Sequence, residues 1–380
     1  MYQRNSQFMF LLICFIGTFY STSTCAMPVK LWHTTLDAPI VKVSWHTISK
    51  NRKKIFTCKI NFDKKSVYLL SDNASATKRE IPEHYESITI SDNGSLMAGF
   101  KKNSIDLFTT DYQVLKHIQL NEAPSFLLSE HLSYSLSPDG LYIVITSWFL
   151  KHIYIYDASG NLLAKHAISD LRGARVKFSK NGNYLLIHVP NWGTGNTHGY
   201  ILYMDRKGKI LWHKDHDGCQ AQFDISYSGH HAVMISEGTI CAMNHQGEVI
   251  YEHKTDIDIF NIALSGNAKF LLMSQPKQPM LSCINNDNGA LLWTHNLENV
   301  NSSSQLTISL DVPHNGNFYI ACISKDWNNK INNNQCYIFN PEGKKIWQNS
   351  YNHSQLFVQL SHCGKFFVLI GDNQIYLYRI

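Results

Sequence analysis

Two groups of histidines have spacings that could suit metal binding, in a chain that contains 19 histidines. His213 and His216 flank Lys214-Asp215 at the end of a predicted strand, and His230-His231 opens another strand. A catalytic zinc needs three convergent ligands, commonly with two of them on one turn of a helix. Because the surrounding sequence predicts strands and no helix, we interpret these histidines as solvated turn residues and predict no metal site.

Two runs of Asn and Asp raise the question of calcium. They are Asn285-Asn286-Asp287-Asn288-Gly289 and Asp256-Ile257-Asp258. The first run falls at a predicted turn, and Asn and Asp suit the backbone conformations of turns. It also lacks the spaced carboxylates and the final glutamate of a calcium loop. We therefore predict a turn at this run.

Local signatures of catalysis are absent from the sequence. It contains no Gly-x-Ser-x-Gly elbow and no glycine-rich phosphate-binding loop. A site assembled from Ser, His and Asp on separate parts of the chain would leave no local signature, so that alternative stays open. We predict no catalytic residue and no cofactor, and we favour a protein that is not an enzyme.

The composition is that of an ordinary packed protein. Hydrophobic residues make up 44% of the chain and charged residues 17%, which excludes a disordered chain. The net charge is +5 over 380 residues. This mild excess gives no reason to expect a nucleic-acid partner, which would need basic residues concentrated on one face or along one element.

The first 26 residues have the order of a secretory signal peptide. Arg4 precedes an apolar run, Phe8–Phe19, and the small residues 21–26 follow it. The run is too short for a membrane-spanning helix, which needs about 20 residues. Cys25 could anchor a lipoprotein, but the residues before it lack the usual leucine-like side chain. We expect cleavage after Ala26, export to the periplasm or beyond, no membrane insertion, and one domain over residues 27–380.

The cysteines are distributed as buried apolar residues are. Removal of Cys14 and Cys25 with the signal leaves seven of the nine cysteines, so at least one is unpaired within a monomer. Export permits disulfides, but no two cysteines form a Cys-x-x-Cys pair. We interpret those inside apolar strands as small buried hydrophobes; they are Cys58, Cys241, Cys283, Cys322 and Cys336.

A tight turn that ends in glycine recurs between short β-rich runs along the chain. Copies end at Gly94, Gly140, Gly182, Gly229, Gly316 and Gly364, and a degenerate copy ends at Ala268. Successive copies lie about 39 to 48 residues apart, the period of a four-stranded propeller blade. Asn-Gly and Asp-Gly turns accept the positive φ of tight hairpins. The pattern predicts blades of four strands, labelled A to D in chain order.

The repeats predict an all-β, eight-bladed propeller. Strand A of each unit starts near residue 41, 86, 133, 175, 222, 260, 306 or 356. The last unit stops after strand C, whereas Lys30–Thr34 reads like a strand D near the start of the chain. We therefore expect the N-terminal strand to complete the eighth blade and so to close the ring.

Strand D and the turn before it carry a further motif. It reads Gly208-Lys209-Ile210-Leu211-Trp212 in one copy and Gly289-Ala290-Leu291-Leu292-Trp293 in another. This motif resembles the tryptophan-docking repeat of PQQ-like, quinoprotein-type eight-bladed propellers, and it resembles WD40 repeats less. The resemblance implies that the Trp packs between neighbouring blades. The quinoprotein enzymes of that family carry an adjacent Cys-Cys pair, which this chain lacks, so the resemblance points to the non-enzymatic branch.

The connections between strands B and C are the segments in which the predicted repeats differ most. Three of the longer connections contain a tryptophan: Trp148, Trp192 and Trp327. Loops on a rigid scaffold often carry function, and exposed aromatic residues suit contacts with a protein or a glycan. These three residues are our candidate partner-binding site. The alternative is that each indole packs on its own loop.

Three functions remain in consideration. The first is a monomeric, non-catalytic interaction scaffold of the bacterial envelope, by analogy with the propeller lipoprotein that assists outer-membrane β-barrel assembly. The second is an enzyme or small-ligand binder at the mouth of the central channel, which predicts ionisable residues at the starts of the A strands. The third is a secreted effector or adhesin, for which the sequons at Asn73, Asn93, Asn301 and Asn352 would matter.

Overall fold

The structure is a computed structural model that describes most of the chain from residue 27 onward. The described residues are 27–35, 42–45, 54–60, 65–71, 76–80, 85, 87–101, 104–109, 113–120, 132–147, 152–168, 174–190, 198–218, 221–255, 259, 261–275, 280–297, 307–324, 333–353, 356–361 and 364–380. The predicted signal peptide lies outside them.

These residues form eight antiparallel sheets of four strands each. The first strand is β1 (Val29–Thr35). Blade 1 contains β2 (Lys42–Trp45), β3 (Lys54–Ile60), β4 (Lys65–Ser71) and β5 (Ala76–Glu80). Blade 2 contains β6 (Ser87–Ile90), β7 (Met97–Lys101), β8 (Ser104–Phe108) and β9 (Val114–Gln119). Blade 3 contains β10 (Leu132–Leu136), β11 (Tyr142–Ser147), β12 (His152–Asp157) and β13 (Leu162–Ala167).

The remaining blades repeat this pattern. Blade 4 contains β14 (Arg175–Phe178), β15 (Tyr184–Val189), β16 (His198–Asp205) and β17 (Ile210–Asp217). Blade 5 contains β18 (Gln222–Ile225), β19 (His231–Ser236), β20 (Thr239–Asn244) and β21 (Val249–Lys254). Blade 6 contains β22 (Asn261–Leu264), β23 (Phe270–Gln275), β24 (Met280–Asn285) and β25 (Leu291–Asn296). Blade 7 contains β26 (Thr307–Asp311), β27 (Tyr319–Ser324), β28 (Asn333–Phe339) and β29 (Lys345–Asn352).

Blade 8 joins the two ends of the described chain. It contains β30 (Phe357–Leu360), β31 (Phe366–Gly371) and β32 (Gln374–Arg379), and β1 supplies its fourth strand. β1 runs antiparallel to β32, with Val29 opposite Arg379 and Thr35 opposite Gln374. The predicted closure of the ring by the N-terminal strand is therefore confirmed, and the fold is an eight-bladed β-propeller.

The recurring turn joins strands A and B, as its sequence predicts. Gly182 has a φ of 72°, in the region that glycine enters without steric cost. Ala268, in the degenerate copy, is held at a φ of 63°. A serine opens six of the seven copies, and Pro313 opens the other. The serine fixes the hairpin: Ser179 Oγ accepts a hydrogen bond from the backbone N–H of Tyr184 at 3.0 Å. Local turn chemistry thus sets the register of strands A and B.

The core of the molecule lies between the blades. Strands B and C are buried on both faces: Leu185 and Ile187 on one face of β15 and Leu186 on the other are all 0% exposed. Leu185 and Ile187 share an apolar cluster with Ile155 of the preceding blade, and Leu186 shares one with Phe223 of the next blade. Burial on both faces explains why these strands are continuously apolar and do not alternate. The burial of each such side chain stabilises the folded protein by about 1.5–3 kcal/mol.

The tryptophan of strand D packs over a glycine of the next blade. Trp293 of β25 lies over Gly343 of blade 7, where a Cβ atom would come within 2.5 Å of the indole. Its Nε1 donates a hydrogen bond to the carbonyl of Pro341 at 3.0 Å. Trp212 lies over Gly247 of blade 5 in the same way. The indole therefore packs between neighbouring blades, as the resemblance implied.

A β-bulge precedes the docking residue. In blade 6, Cys283 faces Trp293 and the next residue of β24, Ile284, faces Leu291, so Leu292 is the extra residue. Leu291 and Leu292 are 61% and 44% exposed. A bulge places two residues opposite one and increases the local twist of the strand. Here it brings the indole inward and leaves the apolar pair at the outer rim of the blade.

The described cysteines are buried, as predicted. Cys241, Cys283, Cys322 and Cys336 are each no more than 1% exposed, and all four are free thiols in the structure. The side chains of the other five cysteines lie outside the described part of the chain. No helix in the described ranges is long and apolar enough to cross a membrane.

Candidate functional site

The three predicted partner-binding tryptophans all fall between a strand B and a strand C. Trp148 lies between β11 and β12, Trp192 between β15 and β16, and Trp327 between β27 and β28. By contrast, Glu237-Gly238 suffices to join β19 to β20. Trp148, Trp192 and Trp327 lie outside the described residues, so their role stays a prediction. The strand bounds confirm that B–C connections of unequal length join strands of regular length.

One cavity lies in the central channel, at the end where strand A turns into strand B. Its volume is about 710 Å³, within the range of small-molecule sites. The ends of the A strands and the A–B turns of several blades form its wall. Its charged lining residues are Asp92, Asp139, Lys177, Lys180, Asp224 and Asp311.

Ionisable residues thus converge on the channel, but at the ends of the A strands. Lys177 is the third residue of β14, Asp224 is the third of β18, and Asp311 is the last of β26. The alternative interpretation of the sequence, a site at the channel mouth, expected such residues at the starts of these strands. This cavity is instead lined by the ends of the A strands and by the turns that follow them.

Asp224 connects three blades at the cavity wall. Its Oδ1 lies 2.7 Å from Nζ of Lys177 in blade 4 and accepts the backbone N–H of Ile225 at 2.7 Å. Its Oδ2 accepts the backbone N–H of Leu264 in blade 6 at 2.9 Å. The residue is 6% exposed. A buried carboxylate requires such partners, since an unpaired charge in the interior is costly.

Asp311 repeats this arrangement in blade 7. Its Oδ2 accepts the backbone N–H of Leu360 in blade 8 at 2.8 Å, and its Oδ1 accepts that of Val312 at 2.9 Å. The nearby Ser309 Oγ accepts the backbone N–H of Val358 at 3.2 Å. Side chains of one A strand therefore bind the backbone of the next, and the channel wall is also the inner joint between blades.

The A–B turns form a second ring of contacts. The amide Nδ2 of Asn181 donates to the carbonyl of Ser228 in the next blade at 3.1 Å. The amide of Asn267 donates to the carbonyl of Asn315 at 3.1 Å. Asn93, one of the four sequon residues, uses its amide in the same way on Asp139. These asparagines therefore join neighbouring blades as well as closing their own turns.

A smaller cavity of about 330 Å³ lies between blades 4 and 5. His216 and Ser236 line it, with Ser236 Oγ 3.0 Å from His216 Nδ1. His216 Nδ1 also lies 3.0 Å from the carbonyl oxygen of Asp217, a contact that requires Nδ1 to donate. The basic lone pair is then on Nε2, away from Ser236. The pair is therefore not arranged as a nucleophile and its general base.

His216 stacks on a second buried imidazole. The ring centroids of His188 and His216 are 5.1 Å apart, and the two residues are 1% and 7% exposed. Neither nitrogen of His188 finds a hydrogen-bond partner in the described structure, and nor does Nε2 of His216. Burial, together with the charges of Arg175 and His216, lowers the pKa of His188 to about 3. Burial also lowers the pKa of His216, against the opposing effect of the Asp217 carbonyl.

The sequence interpretation of His216 as a solvated turn residue was wrong. Gly199 of β16 faces His216 across the sheet, and a Cβ there would lie 2.6 Å from Cε1 of the imidazole. The missing side chain therefore leaves space for the ring to lie over the blade. His213 and His230 are exposed, in agreement with the prediction. Among the described residues no three His, Cys, Asp or Glu side chains form a metal-binding group.

The predicted turn at 285–289 is confirmed. The backbone N–H of Gly289 donates to the carbonyl of Asn285 at 2.8 Å. Asn286 is 1% exposed, and its amide donates to the carbonyl of Ala268 at 2.9 Å. Its Oδ1 accepts the hydroxyl of Tyr251 in the neighbouring blade at 2.9 Å. The side-chain amide of Asn286 therefore holds the turn in its own blade and joins it to the neighbouring blade.

A buried carboxylate also organises blade 2. Asp106 of β8 is 4% exposed and lies 2.6 Å from Nδ1 of His117 and 2.9 Å from Nζ of Lys101. The hydroxyl of Tyr85 donates to it at 3.0 Å. Burial alone would raise the pKa of Asp106, but the hydrogen bonds from Lys101, His117 and Tyr85 outweigh that effect and lower it. The carboxylate therefore binds all three of these side chains and holds them in place.

Comparison with known proteins adds information at the level of the fold. No protein-family model matches the sequence, and no curated protein matches it. Among solved structures, BamB from Moraxella catarrhalis superposes with a TM-score of 0.60 at 12% identity, over 93% of this chain and 98% of that one. The Dos1 propeller superposes with a TM-score of 0.66 at 10% identity, over 93% and 95% of the two chains. Both likenesses support the propeller fold.

Proposed function

We propose that this chain is an exported, monomeric, non-catalytic propeller of the PQQ-like type that binds a protein partner in the bacterial envelope. The partner contacts the face on which the B–C connections emerge, and Trp148, Trp192 and Trp327 supply the aromatic contacts. Residues 1–26 are the cleaved signal, and residues 27–380 form the single domain.

One observation carries this proposal. The blades are regular, but the segments joining B strands to C strands range from the two residues Glu237-Gly238 to the stretches 190–197 and 325–332. Segments that vary on a constant scaffold are where binding residues concentrate. Two of the three tryptophans lie in the longest of these stretches. The likeness to BamB supports the architecture and leaves the partner to experiment.

Photocrosslinking tests the binding face directly. A photoreactive amino acid is placed at position 192 or 327 in the exported protein, and at position 315 in an A–B turn as the matched control on the opposite face. We expect adducts with the same partner from positions 192 and 327 and none from position 315. Excess unlabelled protein should compete for the partner and abolish these adducts. Adducts at 315 alone would place the contact on the A–B face and overturn the assignment.

The export proposal has its own measurement. N-terminal sequencing of the protein from its native host is expected to begin at Met27. An N-terminus at residue 25 with a lipid attached would show the lipoprotein alternative. Recovery of the protein with residues 1–26 intact from the cytoplasm would contradict export.

A second candidate function rests on the central cavity. A volume of about 710 Å³, with Lys177, Lys180 and Asp139 in its wall, suits a small polar ligand that carries charges of both signs. We expect fragments containing an amine and a carboxylate to perturb NMR signals of these residues. The variant Lys180→Trp fills part of the cavity and is expected to abolish the shifts. The absence of any shift from such fragments would exclude the cavity as a ligand site.

A further inference from the structure

Two of the buried cysteines face each other across neighbouring strands. Cys322 of β27 is the direct partner of Cys336 of β28 in the antiparallel ladder. Directly opposed residues in such a ladder have Cα atoms about 4.5–5.5 Å apart. That separation falls within the span of about 4.4–6.8 Å over which disulfides form. The backbone therefore already has the spacing that a disulfide needs.

The side chains are in contact as well. Sγ of Cys322 lies 2.7 Å from Sγ of Cys336, closer than the van der Waals contact distance of two sulfur atoms that are not bonded to each other. Both residues are 0% exposed and lie in the apolar cluster that joins blade 7 to blade 8, beside Ile320 and Phe367. The packing of both blades therefore holds the two sulfur atoms together.

The other described cysteines provide the contrast. Cys241 faces Met234 and Cys283 faces Leu272, so neither has a thiol opposite it on strand B. The interpretation of cysteines as small buried hydrophobes accounts for these two residues. It leaves the opposed pair in blade 7 unexplained, because two apolar side chains would fill the same space without the chemistry of two adjacent thiols.

We propose that Cys322 and Cys336 form a disulfide that links strands B and C of blade 7. This inference rests on the proposed export of the chain, since exported proteins meet an oxidising environment. The co-reactant is a disulfide donor, either an oxidised thiol–disulfide oxidoreductase or oxidised glutathione. The disulfide crosses the hairpin that carries Trp327 and so anchors the base of that B–C connection.

The reaction proceeds by two exchanges. One cysteine thiolate attacks the donor disulfide, forms a mixed disulfide and releases the first donor thiolate. The second cysteine thiolate attacks the cysteine sulfur of the mixed disulfide and releases the second donor thiolate. The protein loses two electrons and two protons, and the donor disulfide gains them as two thiols.

Because both cysteines are buried in the folded protein, the disulfide must form before folding is complete. Desolvation raises the pKa of Cys322 well above its usual value in the folded blade, so the thiol is neutral and unreactive there. A donor protein also cannot reach a side chain that is 0% exposed. The disulfide therefore forms during folding, before blade 8 covers blade 7, and persists in the folded protein.

Peptide mapping tests the proposal. The full chain is isolated from an oxidising compartment, alkylated in denaturant without reductant, and digested with trypsin, which cleaves between the two cysteines at Lys325 and Lys330. We expect a linked peptide pair containing Cys322 and Cys336, which reduction separates. The Cys283→Ala control retains the linked pair, and Cys336→Ala leaves Cys322 alkylated. Full alkylation of both cysteines in the exported wild type would overturn the inference.

A parallel arm separates this inference from the proposed export. Protein made in the cytoplasm is unfolded and refolded in a mixture of reduced and oxidised glutathione. If this sample contains the linked pair and the native host does not export the protein, the proposed localisation is wrong and the proposed disulfide is supported. Correct cleavage after Ala26 without a linked pair would retain the export and remove the disulfide.

Discussion

The indole of Trp293 rests on Gly343 of the next blade, so that a Cβ atom on Gly343 would lie 2.5 Å from the ring. Gly343 also has a φ of 78°. Its substitution therefore combines a backbone cost with the displacement of the tryptophan. The same relationship between Trp212 and Gly247 shows that it belongs to the repeat.

We expect Gly343→Ala to lower the free energy of unfolding by at least about 1–2 kcal/mol, the cost of a left-handed backbone for a residue with a Cβ. Part of the loss is expected to disappear in the Trp293→Ala background, since the clash is removed. A double-mutant cycle by chemical denaturation measures this coupling. Lys344→Ala, at the next and exposed position, is the control. Strict additivity of the two substitutions would contradict the contact.

Removing the acid or the base of the ion pair in the channel wall is expected to lower stability by different amounts. Asp224→Ala removes the partner of Lys177 and strands the backbone N–H of Leu264, so we expect a loss of about 2–3 kcal/mol in unfolding free energy. Lys177→Met leaves both backbone donors on the carboxylate, and its side chain is 45% exposed, so the loss should be smaller. Glu252→Gln breaks an exposed ion pair and should cost less than about 1 kcal/mol. Equal losses at the three positions would refute this account of the channel wall.

The stacked histidines predict a loss of stability in mild acid. The pKa of His188 is about 3 in the folded protein, whereas an unfolded histidine titrates near 6.5. Between these values the unfolded chain binds the proton and the folded one does not. Stability therefore falls as the pH drops from about 6.5 towards 3, by up to about 1.4 kcal/mol per pH unit for this residue.

Denaturation midpoints at pH 7 and pH 5 test this prediction. His188→Gln removes one titrating group and should flatten the dependence on pH, although its stability at pH 7 is also expected to change. His213→Gln, at an exposed position, should keep the wild-type slope. A wild-type slope in His188→Gln would show that other groups control the acid response.

Asp106 contributes to the acid response in the same direction, but at lower pH. Its pKa is lowered in the folded protein, so its stabilisation is present above the unfolded value of about 3.9 and is lost as the pH falls through the folded value. Asp106→Asn should cost about 1–3 kcal/mol at pH 7. The difference from wild type should shrink as the pH falls through the lowered pKa of the folded Asp106, where its carboxyl becomes neutral like the amide of the variant. A difference that is constant with pH would contradict an ionised Asp106.

The blade architecture was predictable because its determinants are local. A turn such as Ser179–Gly182 contains the serine, the asparagine and the positive-φ glycine within one short segment, so the repeat can be read directly from the sequence. The fourth strand of blade 8 was predictable for a related reason. Lys30–Thr34 resembles the other D strands, and only blade 8 lacked one.

The channel wall and the buried histidines were less accessible to sequence reasoning. Asp224 owes its role to Lys177 and Leu264, each of which lies at least 40 residues away, and nothing near Asp224 marks these partners. His216 is buried because Gly199 faces it and Ser236 of the next blade covers it. The opposed cysteines were visible in the sequence only as two members of apolar strands, since the register that pairs them is a property of the folded hairpin.

The pairing of Val29 with Arg379 has a kinetic consequence. Blades 1 to 7 can each form from one continuous segment, but the eighth sheet requires chain segments from opposite ends of the domain. Contacts of such high sequence separation carry a large loop-closure entropy and slow the folding of β proteins. The ring therefore remains an open arc, with unpaired edges at β1 and β32, until β32 has been synthesised and pairs with β1. The interval before closure is when this protein is most exposed to aggregation and to chaperones.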